Sequence, residues 1–373
     1  MPEVLTVPVQ TRSERFRSLV HGDFADVTGR EAEWKFTPVE RLRPLIDGEL
    51  DGSAYPVDAP EVPGTVVEWI DRSDERIGTA GIPEDRAAAN AWSSFRTALH
   101  IGVSGETTPV TVTRSGLGTA PKAAHVLITA APLSSGLVVL DSRGSANLTE
   151  NVEIIVGEGA HLTVVSLQEW DDDAIHVASH FARVDKDARL KHIVVSLGGS
   201  IVRVNPSTRL AGPGSDTEML GVYFADAGQH LEQQVFVHHE APQSKSRVTY
   251  KGALNGEGAH TVWIGDVLIG RAAVGTDSYE QNRNLVLSEG TRADSIPNLE
   301  IETGDIAGAG HASATGRFDD EHLFYLQSRG IPEDEARRLV VLGFLSEIVQ
   351  KIGEPVLEAR LSEALETELG GAR

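Results

Sequence analysis

The chain has 373 residues, 40% hydrophobic and 24% charged, with a formal net charge of −22 and no cysteine. That composition suits a globular protein with a sizeable core, and its acidic excess argues against nucleic acid or an anionic membrane as partner. Without cysteine there is no disulfide, no thiolate nucleophile and no cluster held by this chain's own thiolates. The sequence has no run of about 18 apolar residues, and its start lacks the apolar stretch of a signal peptide. A cytoplasmic protein without a membrane span is expected.

Residues 11–20, TRSERFRSLV, suit a short helix with Phe16, Leu19 and Val20 on one side. In 29–46, Trp34 and Phe36 sit among charged residues and read as local core, with Pro38 closing the segment. Pro56, Pro60 and Pro63, together with Gly52 and Gly64, mark 47–64 as a connecting loop. Residues 83–100 combine Pro83, acids in a first turn and an alanine-rich run, which predicts a helix. The region 1–105 therefore reads as mixed and mostly helical.

From about residue 107 the texture changes to short β-branched runs such as TPVTVT, NVEIIV, LKHIVVSL and HTVWIGDVLIG. Acidic or glycine-rich bends lead into new strands at 157–164, 185–194, 212–220 and 256–263. Their spacing, roughly 27 to 44 residues, is loosely that of a solenoid whose stacked coils bury each other's apolar faces. The absence of an amphipathic helical pattern through this stretch counts against alternating βα units. A parallel β-helix over 106–316 is the expected core, and a β-sandwich or jelly roll is the alternative.

After Gly316 the period becomes helical, and 317–373 reads as a helical region. FDDEHLFYLQSRG closes on Gly330, and Pro332 with three following acids opens a second helix. Val340, Phe344, Ile348 and Ile352 recur at every fourth position there, as Leu357, Leu361, Leu365 and Leu369 do in a last helix.

Residues able to do chemistry are few. His311 stands alone in a glycine- and alanine-rich segment at the junction of the β-rich and helical regions, where nothing local needs an imidazole. His176 and His180 have a metal-pair spacing only on a helix, and they fall in a strand pattern. His238 and His239 are adjacent, so a strand turns them to opposite faces. Asp171, Asp172 and Asp173 read as a solvated turn, and Lys191 and His192 as ordinary strand residues. Neither a phosphate-binding G-x-x-x-x-G-K-[ST] loop nor a G-x-G-x-x-G turn is present, so nothing in the chain indicates ATP or a Rossmann-bound cofactor.

The run SEGTRADSIPNLEIETGDI…GHASATGRFDDEHLFYLQSRGIPEDEARRLVVLGFLSEIV resembles the C-terminal signature of the SufB/SufD family of iron–sulfur cluster assembly proteins. TRSERFRSL and GREAEWKFTP resemble the SufD branch of that family. The resemblance implies a mainly β protein, a right-handed parallel β-helix flanked by N-terminal and C-terminal helical regions. It also implies a non-catalytic subunit that pairs with a SufB-like paralogue through the β-helices and binds a SufC-like ATPase through its C-terminal helices. On this resemblance His311 matches an iron or cluster ligand at the partner interface, and Phe344 and Ile348 are candidates to dock or support the ATPase.

Ala309 stands where some SufD proteins carry a cysteine, and Gly310 and Ala312 where SufB-like chains place glutamates. The resemblance therefore implies an iron–sulfur cluster shared with the partner and no cofactor held by this chain alone. It leaves open a flavin in the assembled complex and a homodimer of the isolated chain. Two other readings remain at this point: a β-helix enzyme acting on polysaccharides, and a purely structural adaptor in which His311 is incidental.

Overall fold

The computed structural model describes residue 12, residues 15–317 and residues 320–371. In chain order its strands are β1 (Val57–Asp58), β2 (Thr65–Asp71), β3 (Thr97–Val103), β4 (Val110–Arg114), β5 (Gly118–Ala130) and β6 (Ser135–Gly144). There follow β7 (Ala146–Val156), β8 (His161–Trp170), β9 (Ile175–Val184), β10 (Arg189–Ser196), β11 (Ile201–Leu210) and β12 (Asp216–Ala225). The series closes with β13 (His230–His239), β14 (Lys245–Leu254), β15 (His260–Ile269), β16 (Thr276–Val286), β17 (Arg292–Ile301) and β18 (Ile306–Arg317). The helices are α1 (Val39–Ile46), α2 (Arg86–Ser94), α3 (Asp320–Ser328), α4 (Glu333–Val349) and α5 (Pro355–Gly371).

From β3 onward each strand pairs in parallel with the strand two places further along the chain. With β2 and β1 added antiparallel at one end, two nine-stranded sheets result, one holding β2, β3, β5, β7 and on to β17, the other β1, β4, β6, β8 and on to β18. Each coil contributes one strand to each sheet, which is the parallel β-solenoid expected. Ser135 pairs with His161, His161 with Arg189, Arg189 with Asp216, and Asp216 with Lys245, so a coil takes somewhat fewer than thirty residues.

The uneven turn spacing in the sequence has a simple cause: the bends belong to two separate turn series. The bends at Gly157, Asp185 and Gly212 lead into β8, β10 and β12, whereas the bend at Gly256 leads into β15 of the opposite sheet. Successive turns of the first series stack. Leu133 N–H donates to the Glu158 carbonyl, Gly159 to Lys186, Asp187 to Pro213 and Gly214 to Pro242. The residue donating in each of these bonds has a positive φ, and Leu133 and Asp187 adopt it at 62° and 53° without being glycine. The stacked hydrogen bonds offset the steric cost of that conformation.

Alternate residues of each strand face the lumen between the sheets. Leu162, Val164, Val194, Tyr223 and Tyr250 from one sheet meet Leu148, Val152, Val202, Val235 and Trp263 from the other. The outward faces are covered as well, which is why many strands read as nearly unbroken apolar runs. Val165, Leu167, Ile193, Val195, Leu220 and Val222 lie under α4 and α5. On the opposite sheet, Trp34, Leu42, Leu45 and Ile46 from the N-terminal region cover Val177 and Ile201.

Two local expectations are corrected. The helix expected over 11–20 is absent in its described residues 15–20, and Phe16, Leu19 and Val20 are exposed. Arg12 donates to the Gln234 carbonyl and to Glu84, and Ser18 N–H donates to the Pro83 carbonyl, so this segment is strapped along the solenoid instead. The helix expected over 83–100 covers only Arg86–Ser94. Asp85 caps it by accepting from Ala88 N–H at 2.9 Å, and the remainder becomes β3, paired antiparallel with β2 and parallel with β5. Sheet pairing on both sides outweighs the helical propensity of that stretch.

Candidate functional site

The last coil, β17 and β18, closes neither the lumen nor its own sheet edges. No strand pairs beyond it among the described residues, and β18 is half-buried to exposed along its length. The register places Ser278 beside Ala309, Glu280 beside His311, Asn282 beside Ser313 and Asn284 beside Thr315. These alternate positions all face the lumen, so the solenoid ends in a row of polar side chains.

Most of that row is satisfied. Tyr223 Oη donates to Asn284 at 2.7 Å and accepts from Asn282 at 2.8 Å. Asn284 donates to Asn282, and more distantly to Thr315 at 3.4 Å. Ser295 donates to Asn282 at 2.8 Å and accepts from Ser313 at 2.8 Å.

The rung formed by Glu280 and His311 differs. Glu280 is 1% exposed, and apart from a weak approach by the Asn298 backbone neither of its carboxyl oxygens has a hydrogen-bond partner. His311 Nδ1 stands 3.8 Å from Glu280 Oε1, and its side chain is 44% exposed at the end of the solenoid. Burial, reinforced by the nearby Asp266 charge and weakly opposed by the backbone of Asn298, pushes the Glu280 carboxyl up to about 8. Gly265, opposite on β15, makes room for this carboxyl, since a Cβ there would fall 2.5 Å from Glu280 Oε2.

Glu280 carries no motif in the sequence. Its only signal is the polar period-two pattern of Ser278, Glu280, Asn282 and Asn284, and the register alone puts it beside His311.

The other histidines singled out in the sequence have partners within the chain. His176 lies in the lumen with Nε2 2.8 Å from Glu150 and Nδ1 2.8 Å from Gln168. His180 Nδ1 lies 3.0 Å from His192 Nε2, both rings buried. His239 is buried between Ser244 and Ser246, whereas His238 on the outer face pairs with Glu240. Among the described residues no group of three or more His, Asp or Glu gathers closely enough to hold a metal ion. Asp171, Asp172 and Asp173 lie in one exposed turn, with Ser145 donating to the first and last. They are not stacked on successive coils, so the polysaccharide reading loses its only support.

The terminal helices are fastened to the outer face of one sheet. Ile348 is fully buried there with Val341, Leu345 and Val349, while Phe344 is partly buried with Lys251 Nζ 4.6 Å above its ring. Lys251 also pairs with Glu347, Lys191 donates to the Lys351 carbonyl at 2.8 Å, and Arg360 reaches Asp141 at 3.1 Å. Of the expected stripe, Ile348 and Ile352 are buried while Val340 and Phe344 are only half-buried, because Val341, Leu345 and Val349 share the face turned to the sheet. Gly330 ends α3 at a φ of 88°, with Ile331 N–H returning to the Leu326 carbonyl. Phe324, Tyr325 and Leu339 are left exposed on α3 and α4.

No helix among the described residues is long and apolar enough to cross a membrane. Residues 113–344 match the family described as SUF system FeS cluster assembly, SufBD core domain. An iron–sulfur cluster assembly SufBD family protein of Mycobacterium tuberculosis is 50% identical over 96% of this chain and 93% of its own length. One from Mycobacterium leprae is 50% identical over 91% of this chain and 90% of its own length. A second SufBD family protein of M. leprae is 30% identical over 59% of this chain, a span covering 25% of that protein.

Proposed function

The chain belongs to the SufBD family of iron–sulfur cluster assembly proteins, and from that premise we propose that it is the SufD-like, non-catalytic scaffold subunit of a cytoplasmic assembly complex. Its partner is a SufB-like paralogue, docked against the last coil, and the nascent cluster is a shared cargo at that junction. Thiolates are the ordinary ligands of such clusters, and this chain has none, so the partner supplies them. His311 supplies an imidazole from this side. The presence in M. leprae of two SufBD family proteins, one much closer to this chain than the other, supports a division of labour between paralogues.

The observation that carries the reading is the position of His311: facing the lumen on the final strand, beside open sheet edges and flanked by Gly310 and Ala312. Small neighbours let a partner's backbone and ligands approach closely. We further propose that a SufC-like ATPase docks on the C-terminal helices. Phe324, Tyr325 and Leu339 would form the contact, while Ile348, and Phe344 in part, hold α4 on the sheet from beneath.

The test is co-expression of this chain with its SufB-like and SufC-like partners. Wild-type and H311A complexes should both assemble, and only the wild type should build a cluster visible by absorption after supply of iron and sulfide. Equal cluster content in both would exclude the ligand role and leave a structural adaptor.

A further inference from the structure

We propose that Glu280 is a second ligand beside His311, so that the chain offers iron an oxygen–nitrogen pair at the open end of the solenoid. This deepens the reading given above and rests on it. The neighbouring Asn282–Ser313 and Asn284–Thr315 rungs are tied into the hydrogen-bond network through Ser295 and Thr315. At Glu280 two buried oxygens are left without a partner, a condition that native interiors rarely tolerate without a function or a missing ligand. The buried carboxyl lies one rung below the half-exposed imidazole of the final strand.

The spacing is slightly wider than that of a shared ion. Two atoms each ~2.1 Å from one metal lie roughly 3.0–3.4 Å apart at octahedral or tetrahedral angles, and Glu280 Oε1 and His311 Nδ1, 3.8 Å apart, reach that by a small side-chain rotation. Imidazole and carboxylate together suit ferrous iron, and the carboxylate would offset part of its charge. Gly265 preserves the space in which the carboxyl sits, because any larger residue there would displace it. Two ligands make half of a coordination sphere. The remainder must come from a partner facing the open end.

Cobalt(II) is a suitable probe, titrated into the full-length wild-type chain and into E280Q and H311A variants, with binding followed by visible absorption and calorimetry. Glutamine keeps the length and shape of the side chain, but it is a poor ligand. The expected result is that E280Q weakens cobalt binding by ~10-fold or more, comparably to H311A. If E280Q binds within twofold of wild type while H311A fails, the carboxylate is no ligand and only this inference falls. If the wild type does not bind, the pair is no metal site in this chain and this inference falls, whereas H311A binding like wild type would remove the ligand role of His311 as well. A thermal melt of each variant checks that it is folded, and Glu280→Met serves in place of E280Q should that protein fail to fold.

Discussion

Arg114 on β4 and Glu150 on β7 meet inside the lumen as a two-pronged ion pair, with Nη1–Oε2 at 2.5 Å and Nη2–Oε1 at 3.0 Å. Both side chains are essentially unexposed, at 0% and 1%. Ser142 accepts a further bond from Arg114, and His176 Nε2 lies 2.8 Å from Glu150. Burial works to raise the Glu150 carboxyl, but the Arg114 guanidinium and the His176 ring outweigh it and hold it well below the usual carboxylate range. The pair ties the two sheets together across the first coils.

Removing one partner strands the other charge in a low-dielectric interior. Arg114→Met should therefore destabilise the protein by about 3–5 kcal/mol, lowering the urea midpoint. Arg114→Met combined with Glu150→Leu should recover much of that loss. A single variant as stable as wild type would mean the lumen is wetter than the packing implies.

Stability should fall on the acid side of neutrality. His192 and His239 are held down to about 4 and about 3 by burial, and His180 is lowered by burial and then by His192. Above pH 6.5 these rings are neutral in both folded and unfolded chains and contribute no slope. Below it the unfolded chain binds protons that the folded one refuses, so each ring removes about 1.4 kcal/mol per pH unit down to its folded value. Below about 4.5 the depressed carboxyls of Glu150 and Glu232 add to the loss, since their protonation also favours the unfolded chain. Glu280, held up to about 8, acts in the opposite sense from pH 8 to about 4.5. Unfolding free energy measured from pH 8 to 4 should therefore rise slightly and then fall, and His192→Gln should reduce the downward slope between pH 6.5 and 4.

The C-terminal helices should detach before the solenoid melts. Leu361 and Ile348 are fully buried against the outer sheet face, and truncating either to alanine should cost about 2–4 kcal/mol. Hydrogen exchange should show the loss confined to α4 and α5, with the strands that line the lumen still protected. Exchange that accelerates equally in the strands would show that helices and solenoid unfold as one unit.

Gly252 should not tolerate a side chain. A Cβ at that position would lie 1.7 Å from the Tyr223 ring, and Tyr223 is fixed by bonds to Asn282 and Asn284. Gly252→Ala is expected to cost about 1–3 kcal/mol by overpacking, read as a lower melting temperature. An unchanged melt would mean that the tyrosine and its asparagines move together.

The solenoid itself was legible in the chain. Short β-branched runs closed by turns cannot bury their apolar faces alone, and stacked coils are the arrangement that lets each cover the next. The leucines of α5 were equally readable, because Leu357, Leu361 and Leu365 alone define a buried face. The α4 stripe was readable only at Ile348 and Ile352, and the helix over 83–100 only at Arg86–Ser94, since a neighbouring sheet decided which residues to bury and where the helix gives way to a strand. The two turn series also look alike in sequence, and only the pairing of strands separates them.

His311 was conspicuous because a lone imidazole among glycines and alanines has no local role, which is a property of the sequence by itself. Glu280, thirty-one residues earlier in an ordinary polar strand, was invisible there. Only the parallel register brings it beside His311, and only burial in the lumen takes its carboxyl out of reach of solvent and of the polar groups around it. Residue types and their periods determined the coils. The way those coils stack decided which distant polar groups share the open end.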